Sequence, residues 1–210
     1  MLTRRRCLSL IGCAAWPPLR VRAADLAADV RARLADAPVL RGDFEQTRTL
    51  RGFRNPLVSR GDFLLVRSRG VVWRTRAPFA STLVVTRDRL LSRASDGTAN
   101  MQLDARTEPG LRAVNEVMFA LLGGDLATLA QHFRIEGDLL DGQAWRLVLT
   151  PVDAVLAGQF ARLALEGDRY VRQVRLEERG GDQTVIRFAA LRAAQEPTRE
   201  DEARFEPAGS

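Results

Sequence analysis

His132 is the only histidine in the chain, Cys7 and Cys13 are the only cysteines, and all 32 basic residues are arginine. These facts bound the chemistry available. A serine or cysteine nucleophile needs a base beside it, and no G-x-S-x-G pattern accompanies the lone imidazole. Zinc needs a cluster of Cys or His ligands, which is missing. Without lysine there is neither a Schiff base nor a Walker lysine. The carboxylate pairs Glu177-Glu178 and Asp201-Glu202 have the right type for acid and base work, but neighbouring acids on an alternating strand or a charged tail face water. His132 reads as a polar residue ending a helix. The expectation is a protein with no catalytic residue, cofactor or metal, so the elements themselves must carry the function.

The charge distribution separates a leader from a body. Residues 1–23 hold Arg4, Arg5, Arg6, Arg20 and Arg22 and no acid; taking these five from 32 leaves 27 basic against 26 acidic residues. A near-neutral body with interleaved charges provides no long-range attraction to phosphate, which argues against nucleic acid as a partner. The basic run at Arg4, the apolar stretch from Cys7 to Trp16 and the polar end Val21-Arg22-Ala23 are the three parts of a signal peptide. The apolar stretch is far shorter than the ~20 residues of a membrane-spanning helix. Thr3-Arg4-Arg5 followed by Leu8 partly matches a twin-arginine signal, but Cys7 and Ser9 depart from it, and ordinary export is expected. Leu10-Ile11-Gly12-Cys13 has the form of a lipobox preceded by only a short apolar run. Cleavage after Ala23 discards both cysteines and leaves a thiol-free exported domain, residues 24–210.

Hydrophobic periodicity gives the order of elements. Leu26, Val30 and Leu34 make one helical stripe over Asp25–Leu34. Strands are predicted at 44–50, 62–67, 71–75, 82–86, 90–93 and 100–103, with Asp96-Gly97 as a tight turn. Leu111, Val114, Val117, Met118, Leu121 and Leu122 follow helical spacing to Gly123-Gly124, and Asp125 caps a further helix through Leu129. A second set of strands occupies 145–149, 159–165, 170–177 and 184–191. The prediction is a mainly β fold with a helical insertion between two strand groups.

The order Gly61-Asp62, Arg67, Trp73, Pro78, preceded by Phe44-x-Gln46, resembles the LolA-like outer-membrane lipoprotein carrier family. Leu149-Thr150-Pro151, Gln159-Phe160, Ala203, Phe205 and Pro207 extend the resemblance over nearly all of the mature chain. It implies an incomplete antiparallel β-barrel with an N-terminal helix and a helical lid over its open side. Ser68 stands where the family usually has proline, and family members generally continue past the position of Ser210 into a further loop and strand.

The resemblance implies a monomeric periplasmic carrier that shelters lipoprotein acyl chains, or another lipid, between an inner-membrane extrusion machinery and an outer-membrane acceptor. Alternatives are a LolB-like acceptor anchored through Cys13, and a carrier of another lipid or a polyene product. Sheltering needs no reactive group, since burying each CH₂ contributes about 0.8 kcal/mol. One face of each alternating strand supplies the candidate cargo residues Phe44, Phe63, Leu65, Val71 and Trp73. Leu111, Val114, Met118 and Leu121 close from the lid. A filled core would bring the same side chains together without a cavity. By the resemblance, Arg67 is the latch that hydrogen-bonds the lid backbone; otherwise it is a solvated strand arginine.

Overall fold

The computed structural model describes the backbone of residues 23–94, 99–104 and 109–206. The leader with Cys7 and Cys13, the Asp96-Gly97 turn and Pro207 lie outside the described residues, as does the side chain of Leu111.

Helix α1 (Ala23–Arg33) forms on the predicted stripe, and Leu26, Val30 and Leu34 are all buried. Six strands follow: β1 (Val39–Thr49), β2 (Leu57–Val66), β3 (Gly70–Ala77), β4 (Ser81–Thr86), β5 (Arg89–Ala94) and β6 (Ala99–Asp104). Then come α2 (Pro109–Gly123), α3 (Leu126–His132), β7 (Phe133–Leu139), β8 (Trp145–Pro151) and α4 (Ala154–Gln159). The chain continues through β9 (Phe160–Gly167), β10 (Val171–Glu178), β11 (Gln183–Ala194) and α5 (Arg199–Ala203). Among the described residues, the eleven strands make one antiparallel sheet in the order β6-β5-β4-β3-β2-β1-β11-β10-β9-β8-β7. β1 joins the two predicted groups by pairing with β2 on one side and β11 on the other. The sheet does not close: β6 and β7 are its two edges, although they are consecutive strands in the chain.

That topology positions the lid. Helices α2 and α3 are the connection between the edge strands, so the chain carries them from one edge of the sheet to the other. Val117, Ala120, Leu121 and Leu122 of α2 and Leu126 and Leu129 of α3 are buried in one cluster with Phe44, Phe63, Leu65 and Val71 of the sheet. Asp125 caps α3 as predicted, its carboxylate accepting from the Thr128 amide at 3.1 Å.

Because successive strand residues point to opposite faces, Leu64, Val66, Val72, Val84 and Leu91 build a second cluster on the outer face. Phe205, carried past α5, closes it and is 2% exposed. Here the expectation that Asp201 faces water is corrected: Asp201 is 4% exposed. Thr198 and Asp201 form a capping box at α5, and Arg41 on β1 donates from two nitrogens to the two carboxylate oxygens. The Arg41 guanidinium, with Thr198 and against the opposing effect of burial, holds the Asp201 carboxyl well below the usual carboxylate range. A depressed folded-state pKa stabilises the fold above the ordinary carboxylate pKa, and this stability is lost as pH falls below about 4. Asp201→Asn should therefore lower stability near neutral pH by about 1–3 kcal/mol and flatten the acid limb of the denaturation curve. An unchanged limb would show that α5 docks through Phe205 alone.

Glycine at 61 is dictated by close approach. A Cβ there would lie 1.9 Å from the Arg74 carbonyl oxygen and 2.8 Å from the Phe44 ring. Gly61 sits opposite Phe44 in the β1–β2 ladder, where it leaves room for that ring. Gly61→Ala should cost about 1–3 kcal/mol through forced backbone displacement. A wild-type urea midpoint would contradict this.

Candidate cargo-binding site

The sheet residues singled out from the sequence converge. Phe44, Phe63, Leu65 and Val71 are at most 3% exposed. Trp73, half-buried, stacks on Phe44 with ring centroids 3.8 Å apart and planes at 26°. Register explains the grouping: Phe63 faces Trp73 across β2–β3, Leu65 faces Val71, and Phe44 faces Phe188 across β1–β11. Phe188, missed in the sequence reading, meets Phe63 edge-on at 5.3 Å. Its signal was the alternation Thr184, Ile186, Phe188 on β11.

From the lid, Leu121 is buried in this cluster and Met118 packs partly buried against it. Val114 does not join them and is 41% exposed. The α2 backbone includes position 111. The inner face is thus filled by its own side chains. A void of about 10 Å³ beside Leu34, Leu40, Leu65 and Tyr170 is too small for an acyl chain.

Arg67 follows β2 directly and reaches the lid. Its Nη2 donates to the carbonyl of Gly123, the last residue of α2, at 3.0 Å, and Nη1 donates to Asp36 Oδ1 at 2.9 Å. Its backbone N–H is held by the Pro38 carbonyl at 2.9 Å. A cation at a helix C-terminus also meets the negative end of the macrodipole. The side chain is 37% exposed, so each bond belongs at the lower end of the range for charged groups. Arg67, with Leu65, Gly123 and Gly124, lines both the small void and a wider cleft of about 870 Å³ between α2, α3 and the β2–β3 and β4–β5 turns.

His132 ends α3, with Nε2 3.4 Å from Glu116 of α2 and Nδ1 4.0 Å from Asp153, the N-cap of α4. It sits where α3 meets α2 and the start of α4. Glu177 forms a two-pronged pair with Arg162 at 2.8 Å, and Glu178 pairs with Arg48. Among the described residues, no three His, Cys, Asp or Glu side chains gather to hold a metal.

An open antiparallel barrel with an apolar inner face, bridged edge to edge by a helical lid, defines a class of lid-covered β-shell proteins. Residues 35–203 match the family described as "Outer membrane lipoprotein carrier protein LolA", and the chain belongs to that family. Members of the family are periplasmic carriers and not enzymes. No curated protein matches the sequence. Among solved structures, the chain is similar to a LolA superfamily protein from Nitrosomonas europaea. The two are 10% identical over 84% of this chain and 96% of that one, with a TM-score of 0.47. It is also similar to MucB in the MucA/MucB complex of Pseudomonas aeruginosa, at 20% identity over 83% of this chain and 59% of that one, with a TM-score of 0.46.

Among the described residues, no helix is long and apolar enough to cross a membrane.

Proposed function

We propose that this protein is a periplasmic carrier that takes up the acyl chains of lipoproteins, or another lipid, beneath its helical lid and passes them toward the outer membrane. The observation that supports this most is the apolar inner face bridged by a lid whose α2 terminus is held to β2 through one arginine. In the arrangement described, side chains fill the space that cargo would take. Loading therefore requires α2 to part from β2 and the aromatic group to rearrange.

The energetics allow this. Sixteen buried carbons would contribute on the order of 12 kcal/mol before ordering costs, enough to offset separating the lid from the sheet. Phe44, Phe63, Leu65, Val71 and Trp73 would line one wall, with Leu111, Val114, Met118 and Leu121 on the other. Val114 would turn inward only as the lid moves.

Protein isolated gently from its native periplasm should carry stoichiometric acylated molecules, read by native mass spectrometry. Repeated isolation without any bound lipid, together with failure to bind a fluorescent fatty acid, would exclude the carrier reading. The same spectra read the amino terminus. Processing after Ala23 leaves Ala24 free, whereas a diacylated Cys13 would make the protein an anchored acceptor.

A further inference from the structure

The wide cleft outside Arg67 is not what an apolar cargo alone requires. Five arginines border it, Arg31, Arg67, Arg69, Arg87 and Arg112, against three acids, Asp88, Glu116 and Asp125. Two of the five are engaged: Arg67 with Asp36, and Arg69 with Glu206. Of the acids, Asp125 caps α3 and Glu116 adjoins His132. Arg31, Arg87 and Arg112 form no ion pair among the described residues. They come from three separate elements, α1, the β4–β5 turn and α2, so the fold gathers them onto one opening.

Asn115 adds an independent observation. It lines the cleft, is 1% exposed, and donates through Nδ2 to the Thr86 carbonyl at 3.2 Å. That bond fixes the amide's orientation, because the reversed one would set two acceptors against each other. Among the described residues its Oδ1 is then buried without a partner. A buried acceptor left unpaired is costly, and a ligand hydroxyl would satisfy it. The cleft floor includes Leu65 and Ala120, which also belong to the inner apolar cluster. An amphiphile could leave its chains on that side and its headgroup on this one.

We infer that the cleft binds a phosphate ester bearing a hydroxyl donor, the chemistry of a phosphoglycerol headgroup, with Arg31, Arg87 and Arg112 facing the phosphate and Asn115 Oδ1 accepting from the hydroxyl. This rests on the carrier reading and specifies the polar end of its cargo. Arginine suits the task because its planar fork pairs with phosphate oxygens two at a time.

The test is calorimetric titration of the mature protein at low salt with three probes: monomeric dihexanoyl phosphatidylglycerol, dihexanoylglycerol and free glycerol phosphate. The phosphorylated lipid should bind at least about tenfold more tightly than the neutral one, and the difference should shrink at high salt. The exposed double variant Arg87→Gln, Arg112→Gln should lose that difference and keep its affinity for the neutral lipid. Equal binding of the two lipids would overturn the headgroup assignment and leave the carrier reading standing. Binding of glycerol phosphate alone, with the same arginine dependence, would uphold the anion site and remove the lipid carrier. No binding by any probe would overturn both.

Discussion

Arg67→Leu should give a protein that holds an apolar probe about tenfold more tightly than wild type and releases it more slowly to acceptor membranes. Arg67 ties Gly123 at the end of α2 and Asp36 before β1 to the end of β2. Leucine removes both bonds and leaves the Gly123 carbonyl to water. Only the bond to Gly123 holds the lid, and at roughly 1.5 kcal/mol it is worth about a tenfold change in a two-state equilibrium; the exposed pair with Asp36 adds little. A shift toward the open lid raises apparent affinity for anything that binds only the open form. Arg67→Lys should fall between, because an ammonium retains charge but cannot span Asp36 and Gly123 with one planar group. Probe fluorescence and transfer to vesicles are the measurements. Wild-type affinity and transfer rate in Arg67→Leu would reduce Arg67 to a surface contact.

Trp73→Ala should lower stability by about 3 kcal/mol, while Trp73→Phe should cost less than half as much. Trp73 contacts Phe44 by stacking, Phe63 at 6.1 Å and Phe188 at 6.2 Å, so its removal opens space bounded by three aromatic rings. A recess walled by three aromatic rings accepts small apolar molecules. Fatty-acid probe binding should therefore change in both variants even where the fold survives. Urea midpoints and probe titration read the two effects separately. Unchanged stability together with unchanged probe binding would place Trp73 outside both the core and the cargo path.

Most strands were legible because each carries its own period and ends at a turn residue. β7 was missed although Phe133 and Ile135 alternate with Arg134 and Glu136, because α3 runs into it without an intervening turn: His132 ends the helix and Phe133 begins the strand. α4 spans six residues, too few for a helical stripe to show, and only Asp153 announces it by accepting from the Val155 and Leu156 amides. α5 had a readable capping box in Thr198 and Asp201 but no apolar run after it. The Asp201–Arg41 pair joins residues far apart in the chain, which no local pattern reveals. The same limit applies at the site. Alternation indicated Phe44, Phe63 and Trp73, whereas the partners of Arg67 and the arginine cleft arise where turns and helices from distant segments meet.

The strand order has a mechanical consequence. α2 and α3 are fastened at both ends, to β6 at one edge of the sheet and to β7 at the other. Such a strap cannot swing aside on one hinge like a flap. In the proposed carrier it would lift as its two anchors spread or draw together, which would couple admission of cargo to the curvature of the whole sheet. β6 and β7, neighbours in sequence and farthest apart in the ladder, are then the strands whose separation would register, in the proposed carrier, whether the shell is empty or full.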